Sequence, residues 1–174
     1  YNFLISKGYN ISISKKEILK KPNDFDVFIY LMRFFSPNDC VKLVDIGGNY
    51  GDWSNRFRLF FSKLSIYAFE PVKFAYEKYL ENHKEHKNVV VINKALSDSV
   101  GELEINVAKD YGLTSFLTYN EFIPNRNDEL IKKEKVKLDL LDNYKNDILD
   151  KVKENEKIVM KIDVQGFELN VIKG

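Results

Sequence analysis

Val44-Asp45-Ile46-Gly47-Gly48-Asn49-Tyr50-Gly51, answered later by Ala68-Phe69-Glu70-Pro71, is the stretch whose reading decides the fold. An apolar run, Val41 to Ile46, has the length and composition of a buried strand and ends on a glycine-rich turn. A helical pattern opens directly after it. A second apolar run, Leu64 to Phe69, ends on a carboxylate, Glu70. Strand, turn, helix and acid-tipped strand suit a ligand that carries a nucleoside. Glycines let backbone approach the ligand, and an acid at the second strand tip accepts hydrogen bonds from ribose hydroxyls.

Outward from that core the periods alternate. Trp53, Phe57, Phe60 and Phe61 recur on one helix face that packs on a sheet. Pro71 stands where a first helical turn tolerates proline, and Val72, Ala75, Tyr76, Tyr79 and Leu80 trace the next apolar stripe. A strand is expected over Val89 to Ala95 and an alternating one over Glu102 to Val107. Lys109 to Lys133 has no period and reads as a long connection, which in compact domains is a functional lid or disordered. Val136 to Leu138 suits a brief strand, Leu141, Tyr144 and Ile148 a helical face, and Lys157 to Asp163 a further strand, with a helix beginning near Glu168. Toward the start, Asn10 to Ser14 alternates like a strand. Asp24 suits an N-cap for a helix carrying Phe25, Phe28, Ile29, Met32 and Phe35. The alternation predicts an α/β fold with a mostly parallel sheet covered by helices on both faces. Its ligand would lie beyond the carboxyl ends of the strands, where Asp45, Glu70 and Asp163 gather. Because Val171-Ile172-Lys173-Gly174 follows directly on a helix, the sheet is expected to be truncated after its fourth core strand and that strand's helix.

Composition narrows the classes. The 174 residues are 44% hydrophobic and 30% charged, enough for one packed domain. A formal charge of +1 with interspersed signs offers no basic face, so no nucleic-acid partner is expected. The single cysteine, Cys40, forbids an intrachain disulfide and a thiolate metal cluster; it reads as a small residue at a strand entry. No run spans a bilayer, so no membrane span is expected and a cytoplasmic protein is the default, although a chain beginning at Tyr1 leaves room for a removed leader. His83 and His86 read as surface or helix-terminal residues. A sheet edge suits cover by a second copy in a homo-oligomer.

The glycine turn lacks the third glycine of G-x-G-x-x-G, so a pyrophosphate cradle is poorly supported. S-adenosylmethionine carries adenosine and an amino acid but no phosphate, and fits better. Asp45 would face the cationic end of its methionine, the turn's backbone would take its carboxylate, and Glu70 its ribose. An NAD-dependent oxidoreductase and a non-catalytic binding module are the alternatives.

Taken in order, the blocks Val44 to Gly51, Ala68 to Pro71, Ala95-Leu96-Ser97-Asp98, Gly112-Leu113-Thr114-Ser115-Phe116, Leu138-Asp139 and Lys161-Ile162-Asp163-Val164-Gln165-Gly166-Phe167-Glu168 resemble the FkbM family of S-adenosylmethionine-dependent methyltransferases. The resemblance covers about residues 41 to 174, leaving 1 to 40 as an N-terminal extension with a helix. It implies a class I methyltransferase (Rossmann-like) fold, with strand order 3-2-1-4-5-7-6 in complete members. It also implies O-methylation of a carbohydrate or small-molecule hydroxyl. By position it implies that Asp45, Gly47, Gly48, Asn49 and Gly51 line the methionine end and that Glu70 and Pro71 lie at the ribose. Leu96, Ser97 and Asp98 would lie near the adenine. The family usually carries alanine at Gly48 and glutamate at Gln165. The first difference is expected to be harmless, and the second removes an acid beside the site.

A protonated alcohol is a poor nucleophile, and a general base in reach typically contributes about 10²–10⁴-fold. Asp163 is the candidate base and Glu168 the second. The structural alternatives are that Asp163 caps the next helix and that Glu168 pairs with Lys161. Tyr111, Thr114 and Ser115 are candidates for acceptor contact. No full ligand set for a metal is present, and none is expected.

Overall fold

The computed structural model describes residues 31, 34–36, 38–117, 130–149 and 156–174. The strand expected at residues 10–14 and the helix expected from Asp24 lie outside the described residues, apart from the end of the latter.

Strand β1 (Cys40–Ile46) is buried at every residue after the first, because both of its faces are covered. Its odd residues, Val41 and Leu43, join one core with Phe57, Phe60, Phe61, Leu64, Ile66, Ala68 and Tyr79. Its even residues, Val44 and Ile46, join a second core with Tyr67, Phe69, Leu96, Ile148 and Val171. Helices α1 (Asp52–Phe60) and α2 (Lys73–His83) therefore lie on one face of the sheet. The short helices α3 (Lys145–Leu149) and α4 (Glu168–Lys173) lie on the other.

With β2 (Lys63–Phe69), β3 (Val89–Ile92) and β7 (Lys157–Ile162), β1 forms a parallel sheet of order β3-β2-β1-β7. Counting β7 as the fourth core strand, this is the 3-2-1-4 half of the expected order. The fold is the α/β class read from the sequence, a parallel sheet with helices on both faces.

Two expectations need correction. The strand expected over Val89 to Ala95 stops at Ile92. Asn93 turns inward, donating to the carbonyls of Glu70 and Pro71 at 2.9 Å each. The chain resumes as β4 (Ala95–Leu96) in a separate sheet of order β4-β6-β5. Its hairpin strands are β5 (Gly101–Ala108) and β6 (Leu130–Asp139), paired antiparallel. Strand β6 thus begins at Leu130, well before Val136. Its Lys/Glu-rich first half faces solvent, so only Val136 and Leu138 carry an apolar signal. This sheet packs Ile105, Val107, Val136 and Leu138 against Val72, Ala75 and Ala95, which sets it over the C-terminal rim of the parallel sheet. Pro71 stands two residues ahead of α2 rather than at its first helical position, and the apolar stripe of α2 ends on buried His83, with Leu80 left 41% exposed.

Candidate active site

The turn after β1 is built from left-handed backbone at Gly47 (φ 75°), Asn49 (φ 49°) and Gly51 (φ 79°). A Cβ at Gly47 would run into the main-chain carbonyl of Asp163, so glycine lets the ends of β1 and β7 touch. Four of the turn's amides are engaged within the protein. Gly47 N and Gly48 N both donate to the Phe69 carbonyl, Gly51 N to that of Gly48, and Asn49 N to Glu70 Oε2 at 2.7 Å. These amides are committed within the protein. They tie the turn to the end of β2 and to Glu70.

Beneath the turn lies an aromatic floor. A Cβ at Gly48 would stand 2.5 Å from Tyr79 Cε2. Tyr79 is fully buried and stacked on His83 at 4.5 Å, so it has nowhere to yield. Alanine at position 48 is therefore not harmless in this chain. Nor is His83 a surface residue. It is 2% exposed, lies where a Cβ on Gly51 would fall, and its Nδ1 donates to the Tyr79 carbonyl at 3.0 Å. Burial pulls the His83 imidazole below its ordinary range, so it is held neutral.

Asp45 is placed differently from expectation. Fully buried, it lies on the α1/α2 face of the sheet and lines neither of the two hollows beside the turn. Its Oδ2 accepts from Ser54 Oγ at 2.5 Å and lies 3.2 Å from the Tyr79 hydroxyl, which also donates to Ser54 at 2.7 Å. Its Oδ1 accepts from Lys161 Nζ at 3.1 Å, and that amine also donates to the Gly47 carbonyl at 2.9 Å. Asp45 thus supports the turn through Lys161.

Glu70 reaches a hollow. It is 5% exposed, with Oε2 on Asn49 N and Oε1 on Val72 N at 2.9 Å. Burial dominates its environment and lifts the carboxyl to about 7, against the two amide hydrogen bonds that favour the charged form. The hollow, ≈ 690 Å³ with its open mouth, has Phe69, Val72, Leu96 and Phe116 as apolar walls, and Glu70, Pro71, Gly47 and Asn49 along its rim. Ser97 and Asp98 do not line it. Ser97 is buried with its amide on the Asp139 carbonyl, and Asp98 is exposed facing Asn170. Of that trio only Leu96 reaches the space.

A second hollow of similar size, ≈ 640 Å³ with its open mouth, opens on the far side of the turn, lined by Gly48, Tyr50, Asp52, Trp53, Arg56 and Lys161. Gly47, Asn49 and Asp163 line both spaces. The buried Oδ1 of Asn49 has no partner within the protein. Gly51 lines neither hollow. Asp163 is exposed, its Oδ1 taking Gln165 Nε2 at 2.6 Å and its Oδ2 standing 3.8 Å from Lys161 Nζ, so it does not cap the following helix. Glu168 is turned away. It accepts from the amides of Val164 and Gly166, closing the turn ahead of α4, and it does not pair with Lys161. It lines neither hollow.

The loop after β5 contributes Gly112, Thr114 and Phe116 to the first hollow, while Ser115 is buried and bonded into the fold. Sequence reading missed Asn93 and Lys94, which also lines that hollow. Lys94 pairs with Asp139 at 2.5 Å; that hydrogen bond and one to Tyr144 raise its amine above the ordinary range. Burial opposes ionisation of Asp139, but donors from Lys94, Asn143, Tyr144 and Leu140 hold its carboxyl well below the usual range. A polar pair interrupting an apolar run was the signal available. Among the described residues no cluster of three His, Cys, Asp or Glu is placed for a metal, and no helix is long and apolar enough to cross a membrane.

Comparison with known proteins follows this geometry. The model of the methyltransferase FkbM domain matches residues 45–174. No curated protein matches the chain. Among solved structures, the chain is similar to the crystal structure of methyltransferase FkbM from Methylobacillus flagellatus KT, at 14% identity and a TM-score of 0.47. That similarity covers 80% of this chain and 29% of the other, so this chain spans under a third of that protein's length.

Proposed function

Since the chain belongs to the FkbM methyltransferase family, we propose that it transfers a methyl group from S-adenosylmethionine to a hydroxyl of a carbohydrate or small-molecule acceptor. The observation that carries this reading is Glu70. A nearly buried carboxylate, fixed by two amides, keeps its remaining lone pairs on a hollow with apolar walls. Ribose hydroxyls would donate to it, and the adenine would lie among Phe69, Val72 and Leu96 beside Pro71. Asn49 Oδ1, buried and unpartnered, supplies an acceptor at the junction of the hollows. With four of the turn's amides engaged, the negative end of the methionine fits the N-terminus of α1 beside Arg56, where helix donors and a guanidinium lie together. An NAD-dependent reading fares worse, because the turn lacks the third glycine of a diphosphate-binding loop.

When bound, the donor supplies a sulfonium methyl. A C–O bond forms as the C–S bond breaks, and the electron pair stays on sulfur. The protein's part is alignment, dehydration and proton removal. Asp163, common to both hollows, would accept the acceptor's hydroxyl proton. Lys161 holds the turn between them.

Calorimetry with S-adenosylmethionine, S-adenosylhomocysteine and NAD tests the cofactor. Binding of NAD without either sulfur compound would overturn the proposal. Mass spectrometry of an extract incubated with the full-length protein and isotopically labelled methyl donor identifies the acceptor. In that assay Asp163→Asn is expected to cut the rate at least ten-fold while leaving S-adenosylhomocysteine affinity within two-fold. Glu70→Ala is expected to do the reverse, losing affinity first.

A further inference from the structure

Gln165 is one of two non-glycine described residues with positive φ, at 55°. Left-handed backbone costs a side chain such as glutamine about 1 kcal/mol or more, and persists where surroundings over-determine it. Three contacts do so here. Ser115 Oγ donates to the Gln165 carbonyl at 2.6 Å from the loop after β5. Phe116 of that loop packs on Phe167 at 4.7 Å between ring centroids. The Gln165 amide, thus aimed back along the chain, donates to Asp163 Oδ1 at 2.6 Å.

We propose that Gln165 is the positioning residue for Asp163: its amide pins one carboxylate oxygen and directs the other toward the space the two hollows share. The proposal rests on Asp163 being the general base. The amide does what a free rotamer would not. Asp163 is exposed, and without a partner its carboxylate samples several orientations. With Oδ1 held by Gln165 and Oδ2 near Lys161, one orientation is selected. Gln165, Thr114 and Phe116 also line the first hollow, so the Ser115 clamp ties that wall to the base. The charged groups about this carboxylate are Lys161, Asp52 and Arg56 around the second hollow, Glu70 and Lys94 around the first, and Glu168 across the turn, the last engaged by the amides of Val164 and Gly166.

Two substitutions test this. Gln165→Gly takes φ 55° freely, so the chain folds without the amide. Gln165→Glu keeps size and shape but sets a second carboxylate beside the first, and such pairs share a proton. The measurement is the initial rate of methyl transfer from labelled S-adenosylmethionine, at saturating donor, into the acceptor fraction of the extract, from pH 5.5 to 9.5. Thermal melts and S-adenosylhomocysteine calorimetry accompany it. Gln165→Gly is expected to lower the rate three- to ten-fold with donor KM within two-fold and the melt retained. Gln165→Glu is expected to move the acid limb of the pH profile up by about one to three pH units and to recover toward the parent rate at alkaline pH. A Gln165→Glu profile that overlays the parent, or a Gln165→Gly rate equal to it, overturns the proposal while leaving the methyltransferase reading intact. An Asp163→Asn variant of parental rate removes the base assignment itself, and this proposal with it.

Discussion

Protonation of Glu70 gives the most searching test of the cofactor site. Its carboxyl is lifted from an ordinary 4.5 to about 7, chiefly by burial, in a protein whose neighbouring Asp45 adds repulsion and whose Lys161 partly offsets it. Ribose hydroxyls donate, so the ionised carboxylate is the binding form. A group titrating near 7 is about one-tenth ionised at pH 6 and nine-tenths at pH 8, so affinity for S-adenosylhomocysteine should rise about ten-fold over that interval, or about 1.4 kcal/mol. The apo protein should respond in the opposite sense. Between pH 4.5 and 7 the folded chain holds the Glu70 proton more tightly than the unfolded chain does. This residue's contribution to stability therefore falls by roughly 3 kcal/mol as pH rises through the window, then levels off. Calorimetric titrations from pH 5.5 to 8.5, paired with urea unfolding of the apo protein, read both effects. Glu70→Gln should abolish both pH dependences and bind weakly, because its amide NH₂ must face a backbone N–H of Asn49 or Val72. Affinity in the parent that stays flat or falls from pH 6 to 8 would refute the assignment of Glu70 to the ribose.

Other consequences are simpler to measure. Lys161→Met leaves Asp45 as an uncompensated buried charge and should cost about 3–5 kcal/mol in urea unfolding. Gly48→Ala should cost about 1–3 kcal/mol by forcing a methyl into the Tyr79 ring, and clearly less in a Tyr79→Leu background, as a double-mutant cycle would show. Gly47→Ala meets both a positive φ and the Asp163 carbonyl, and should lose at least about 2 kcal/mol of stability together with cofactor binding, followed by thermal melts with and without S-adenosylhomocysteine.

The parallel sheet was legible because strands buried on both faces are nearly continuous apolar runs, as Val41 to Ile46 and Leu64 to Phe69 are. Of the second sheet, β5 was legible as the alternating run Glu102 to Val107, but the first half of β6 was not. Leu130 to Lys135 faces water and pairs its charges across the hairpin, Lys135 with Glu102 and Lys133 with Glu104, so its alternation is polar on both sides. At the site, Glu70 was visible as an acid ending an apolar strand. The role of Asp45 was not, because spacing along one strand does not reveal a lysine brought beside it from over a hundred residues away. The conflict between Gly48 and Tyr79 was hidden for the same reason. It is a contact between elements, and one chain position read alone shows only that it is small.

Lys161 and Asp45 stand directly opposite one another in the β1–β7 ladder, while Lys42, on the opposite face of β1, meets Glu156 just ahead of β7. Parallel strands have no hairpin to set their alignment. A slide of β7 along β1 by one residue would turn the lysine to the wrong side, and a slide by two would strand opposite charges in apolar surroundings. The two ion pairs therefore act as a vernier. They lend the sheet little net strength but penalise every misthreaded pairing, and the correct thread is the one that brings the Asp163 carbonyl against Gly47 and closes the cleft.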